Sequence, residues 1–104
     1  MPAYVISEVE VLDENEAGRY RELASASIYR YGGRYLARGA DPEVLEGDWP
    51  RNQRVVVIEF PDMKQLQRWY GSPEYAEALA VRQTALTRRL LFVDGLPQQQ
   101  PDGQ

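Results

Sequence analysis

The sequence contains no cysteine and no histidine among its 104 residues. Without cysteine there is no disulfide, no thiol nucleophile, no iron–sulfur cluster and no thiolate zinc site. Without histidine the chain lacks the commonest general base near neutral pH and the imidazole ligands of metals and haem. Basic residues are in deficit too: 12 Lys+Arg stand against 16 Asp+Glu, a formal net charge of −4. They are dispersed, with Arg88-Arg89 the single adjacent pair. Nucleic-acid binders usually carry a basic stripe, so that class is disfavoured. No apolar run approaches the roughly 20 residues of a membrane span. Met1-Pro2-Ala3-Tyr4 does not open a secretory leader, and a cytoplasmic protein of bacterial type is expected. Gly32-Gly33 is a helix stop rather than a phosphate loop, and no Gly-x-Ser-x-Gly elbow or metal-like carboxylate cluster occurs. Chemistry is left to carboxylates, arginine, lysine, tyrosine and hydroxyls, and neither metal nor cofactor is expected.

What is present reads as one ordinary globular domain, with 43% hydrophobic and 27% charged residues. Residues 1–97 are expected to form it, and the polar run 98–104 is expected to be disordered. Val5, Val9 and Val11 alternate with Tyr4, Ile6, Glu8 and Glu10, which predicts a strand. Asp13 with Glu16 resembles a capping box, opening a helix expected over 14–31. A short strand is expected over 34–38, with 43–46 returning as a hairpin arm. The β-branched run Val55-Val56-Val57-Ile58 marks the clearest strand. A short helix capped by Asp62 follows and breaks at Gly71. Ser72-Pro73-Glu74 then restarts a helix whose apolar spacing continues through Leu86 to Leu90, and 90–96 closes the chain as a strand. The order is βαββαβ. It predicts a ferredoxin-like α+β fold, a four-stranded antiparallel sheet with its helices on one face.

That arrangement leaves one sheet face uncovered. Val5, Ser7, Val9 and Val11 with Val56, Ile58 and Phe60 form the expected helix-facing set. The opposite face then carries Tyr4, Ile6, Val55, Val57 and an apolar pair from the last strand. So much apolar surface suits a second copy packed sheet to sheet, and a homodimer is expected.

The runs Tyr31-Gly32-Gly33-Arg34-Tyr35-Leu36-Ala37-Arg38-Gly39, Leu45-Glu46-Gly47-Asp48-Trp49-Pro50 and Val55 to Pro61 resemble the domain of unknown function 1330 (DUF1330) family. Ser72-Pro73-Glu74-Tyr75 and Val93-Asp94-Gly95 resemble it as well. The resemblance spans nearly the whole chain. It implies a small bacterial protein of the dimeric α/β-barrel superfamily and no established reaction. Related branches degrade haem, form quinones without a cofactor or isomerise lactones. An axial-histidine haem site is excluded here, and the other activities would transfer by fold analogy alone.

Two carboxylates, Glu8 and Glu59, project from central strands toward what would be the interior between two sheets. Within about 5–10 Å of each other they would titrate together, and Glu59 is the candidate acid or base. As rim groups they would simply be solvated. Arg38 is either an anchor for an anionic ligand or a structural partner of Glu59 or Glu46. Tyr4, Tyr75 and Arg82 are further candidates for contact with a small-molecule ligand, although Tyr75 also fits a core spacing and Arg82 a snorkelling one. Trp49 sits in a loop, as a lid or as a contact with a partner subunit. Two functions remain open: a homodimeric small-ligand binder with acid–base turnover, or a non-catalytic dimerisation module whose charges serve the interface.

Overall fold

A computed structural model describes residues 1–96; the tail expected to be disordered lies outside the described residues. β1 (Ala3–Val11) leads into α1 (Glu14–Arg30), β2 (Arg34–Ala40) and β3 (Arg54–Phe60). α2 (Met63–Tyr70), α3 (Pro73–Ala85) and β4 (Leu86–Asp94) complete the chain. The sheet is antiparallel with order β2-β3-β1-β4, the ferredoxin-like arrangement. Among the described residues, no helix is long and apolar enough to cross a membrane.

Each helix begins where a short polar side chain satisfies a free backbone N–H. Asp13 Oδ1 accepts from Glu16 N at 3.0 Å and Asp62 Oδ1 from Gln65 N at 2.7 Å. Ser72 Oγ accepts from Tyr75 N at 3.1 Å and donates to Trp69 O at 2.7 Å, so one hydroxyl closes α2 and opens α3. At Gly33 an added Cβ would lie 2.8 Å from Ile28 and from the Phe60 ring. Only glycine lets the chain leave α1 so close to the core.

All three helices pack on one sheet face. Phe60, Leu66, Trp69 and Tyr75 are fully buried there with Val5, Ala24 and Ile28. Burial of each such large side chain contributes about 1.5–3 kcal/mol. A second cluster of Ala17, Val81, Ala85 and Leu86 closes the far end.

Two expectations are corrected. The stretch 43–46 forms no strand: Leu45 is 85% exposed and Val44 45% exposed, within an irregular connection from β2 to β3. With no apolar partner row to cover, this segment gains nothing by pairing. The second correction concerns α3, which stops at Ala85 instead of running to Leu90. Leu86 and Leu90 are four apart, a spacing that serves one helix turn and two strand repeats equally. Pairing decides the outcome, because β4 matches β1 from Val11↔Leu86 to Ala3↔Asp94. Leu12 N and Asp13 N both donate to Ala85 O, at 2.9 and 3.2 Å, fixing that junction. Arg88 and Arg89 therefore stand on a strand and point to opposite faces.

Candidate functional site

The helix-facing side of the sheet is not filled along its whole length. Toward the C-terminal end of β1 a cavity of about 390 Å³ opens between the sheet and α1. This volume lies at the lower end of the range of small-molecule sites. Strand register sets its floor in rows. Val5 stands opposite Ile58 and Phe92, Ser7 opposite Val56 and Leu90, and Val9 opposite Arg54 and Arg88. Tyr20, Ala24 and Ile28 of α1 form the roof, and the edge of Trp69 closes one side. The floor is aliphatic with one buried hydroxyl, Ser7, and ends in a row carrying two guanidiniums.

Arg38 supplies a third. Strict alternation along β2 would put it on the same face as Arg34. Instead the pairing shifts between Tyr35 and Ala37 and again between Arg38 and Ala40, the second beside Gly39 at φ 72°. Such bulges insert an unpaired residue and re-aim the next side chain. Tyr35 and Arg38 consequently share the cavity face, with the guanidinium 4.5 Å above the Tyr35 ring and Nη2 donating to Ser25 Oγ at 2.6 Å. Arg54 Nη1 donates to Gly39 O at 3.3 Å. Arg88 Nη1 donates to Tyr20 Oη at 2.8 Å, and Tyr20 shares a 2.7 Å hydrogen bond with Tyr75 Oη.

The ion pairs among the described residues join Arg21 to Glu14, Arg30 to Glu74, Arg34 to Glu59 and Arg89 to Glu8. None includes Arg38, Arg54 or Arg88. The one carboxylate lining the cavity, Glu14, lies 3.8 Å from Arg21 at the exposed mouth. A protein of net charge −4 thus gathers three guanidiniums without carboxylate partners around one apolar cavity. The Cα atoms of Arg54 and Arg88, two strand spacings apart, are about 10 Å from each other. Arg38 and Arg54 are exposed and Arg88 is half-buried, so water screens much of the repulsion between these like charges.

Burial pushes the Tyr20 phenol up, and the neighbouring Tyr75 adds to this; the Arg88 charge opposes both without cancelling them. Burial also pushes the Tyr35 phenol up. Both phenols stay protonated at neutral pH, and Tyr20 Oη accepts from Arg88. Among the described residues, no group of Asp and Glu side chains could hold a metal ion.

The candidate residues named from sequence are scattered by this geometry. Arg38 lines the cavity. Glu8 and Glu59 lie on the uncovered sheet face, where Glu59 accepts from Arg34 Nε at 2.7 Å and Glu8 from Arg89 Nε at 3.0 Å. Glu59 stands opposite Tyr4, and Glu8 is four residues farther along β1, so the carboxylates are about 13 Å apart along the strand direction. That exceeds the separation of about 5–10 Å expected from the sequence. Tyr4 shares their face, opposite Val93. Tyr75 is fully buried behind Tyr20. Arg82 is half-buried on α3 with Nε unpartnered, outside the cavity lining. Trp49 is half-buried, its indole N–H donating to Gln53 O at 3.4 Å within its own loop.

Ser7, Tyr20, Arg54 and Arg88 were not named as site residues. Ser7 and Arg54 were within reach, each being a polar residue in an otherwise apolar inner row. Arg88 required the correct start of β4.

The chain belongs to the family described as domain of unknown function 1330, whose sequence profile matches residues 2–96. No curated protein matches it. The fold is similar to a protein of unknown function from Rhodopseudomonas palustris, at 20% identity and a TM-score of 0.76, covering 93% of this chain and 84% of that one. It is also similar to SnoaB, a cofactor-independent oxygenase from Streptomyces nogalater, at 15% identity and a TM-score of 0.66 over 96% and 97% of the two chains. A candidate antibiotic biosynthesis monooxygenase from Caulobacter crescentus aligns at 12% identity and a TM-score of 0.65, over 92% and 91%.

The half-buried Tyr20 phenol carries a stability consequence of definite sign. Its folded-state pKa lies above that of an unfolded tyrosine, near 10. Its contribution to stability is fully present below about pH 10 and falls as the pH rises beyond that value, because the unfolded chain then releases a proton that the folded chain retains. Urea unfolding between pH 8 and 11.5 should show this alkaline loss in the parent and a shallower one in Tyr20→Phe. Equal slopes would place the Tyr20 phenol in water rather than between α1 and the sheet.

Proposed function

We propose that the protein binds a small organic anion in the cavity between its sheet and α1. One observation carries this reading: Arg38, Arg54 and Arg88 converge on an apolar cavity without carboxylate partners among the described residues. The aliphatic floor suits a flat or branched hydrocarbon body, and the arginine row suits a carboxylate, enolate or phosphate at its end. The similarity to SnoaB, a cofactor-independent oxygenase, supports an organic ligand in this fold. Binding rather than turnover is assigned, because Glu59 faces away from the cavity and the phenols within it remain protonated. Isothermal titration with 2-naphthoate and its uncharged analogue 2-naphthamide tests the proposal. The carboxylate should bind at least tenfold tighter, and Arg88→Gln should remove most of that preference while leaving the fold intact. Equal affinities for the two compounds would refute an anion site.

The same sheet supplies a reason for a second copy, the alternative reading in which charges serve an interface. The uncovered face carries the apolar row Ala37, Val57, Ile6 and Leu91, with Leu91 59% exposed and Val93 beside it 41% exposed. Two ion pairs flank this row, Arg34–Glu59 and Glu8–Arg89. Each is internally neutral, so the face can meet a copy of itself without like-charge conflict. We infer a homodimer packed through these faces, one cavity on the outer side of each sheet. Sedimentation should give a dimer at micromolar concentration for the parent and a monomer for Leu91→Glu with unchanged helical circular dichroism. A parent that stays monomeric up to 100-fold higher concentration would rule this pairing out.

A further inference from the structure

The Ser7 hydroxyl is the one polar group on the inner row of β1, and it is 4% exposed with no hydrogen-bond partner among the described residues. Its neighbours within the sheet are aliphatic: Val56 and Leu90 flank it across the strands, with Val5 and Val9 two residues away on either side. It lines the cavity. A buried hydroxyl left unpaired is costly, and most such groups in native proteins have a partner or serve a site. Alanine or valine would fill this position without that penalty. We propose that Ser7 is a ligand-recognising residue: the anion held by the arginine row carries a second oxygen function, a hydroxyl or oxo group, that hydrogen-bonds to Ser7.

The distances define the ligand class. Ser7 and the Arg54–Val9–Arg88 row are two residues apart along β1, a separation of about 6.6 Å at the backbone. A ligand spanning both contacts has an apolar body of one or two fused rings, an anionic group at one end and an oxygen substituent well removed from it. Hydroxylated or oxidised aromatic carboxylates have this shape. Ser7 supplies either a donor or an acceptor, so it tolerates both hydroxyl and oxo substituents. Discrimination against ligands lacking the oxygen comes from leaving the hydroxyl unpaired.

This inference rests on the anion-binding reading of the same cavity, and its experiment separates the two. Two measurements are made on the parent and on Ser7→Ala. The first is thermal unfolding without ligand. Removing an unpaired buried hydroxyl should leave the melting temperature unchanged or raise it, whereas a drop would show that Ser7 already has a partner in the folded protein and overturn the assignment. The second is titration with 6-hydroxy-2-naphthoate and 2-naphthoate. The parent should favour the hydroxylated compound by roughly three- to tenfold, the range of one net hydrogen bond. Ser7→Ala should bring the ratio to about one by weakening the hydroxylated ligand alone. Tight binding of both carboxylates with no preference would remove the role of Ser7 and leave the anion site standing. Failure of both to bind better than 2-naphthamide would remove the anion site and this inference with it.

Discussion

The register of β1 is the constraint on which the rest of the structure depends. This strand is central, paired along its length with β4 on one side and over Ala3 to Val9 with β3 on the other. Because side chains alternate, its position assigns Val5, Ser7 and Val9 to the helices and Tyr4, Ile6 and Glu8 to the open face. A slip of one residue would exchange every one of these assignments. It would bury two glutamates under α1 and expose the valines, so burial holds the register firmly. The cavity and the open face are two consequences of one alignment.

The faces differ in how their charges are balanced. On the open side the arginines and glutamates occur as neighbouring cross-strand pairs, Arg34 with Glu59 and Arg89 with Glu8. Exposed pairs of this kind contribute little to stability, about 0–1 kcal/mol, but they leave a neutral frame around an apolar row. On the helix side Arg38, Arg54 and Arg88 lean on neutral oxygens and aromatic rings instead. Those contacts orient the guanidiniums without neutralising them. Arg88 is the most informative of the three, since its hydrogen bond to Tyr20 ties the cavity to the buried Tyr20–Tyr75 pair.

Much of this was legible in the residues themselves. The alternation in β1 and β3 sorted both faces, and the capping residues Asp13, Asp62 and Ser72 marked all three helix starts. The ferredoxin-like order followed from the same elements, and a resemblance carried by the runs Tyr31 to Gly39, Leu45 to Pro50 and Val55 to Pro61 pointed to the DUF1330 family, to which the chain belongs. Three features could not be read in this way. The bulge at Tyr35/Ala37 turns Arg38 against the parity of its strand, onto the face opposite to Glu59. The four-residue spacing of Leu86 and Leu90 satisfies a helix and a strand alike, so only the long pairing with β1 settles where β4 begins. The placement of a cavity on the helix side depends on how closely α1 approaches the sheet, a tertiary distance that periodicity does not encode. Glu8 and Glu59 lie on the open face, where the space between two sheets would form, whereas the cavity of the single protomer lies beneath α1.

The central claim is that an organic anion occupies the space under α1. A crystal structure with 6-bromo-2-naphthoate tests it most directly, because anomalous scattering from bromine locates the bound molecule without interpretation of weak density. The account predicts one bromine peak per protomer between Val5, Ile58 and Ile28, with the carboxylate directed to Arg54 and Arg88. A bromine peak on the open sheet face, against Ile6 and Leu91, would contradict it.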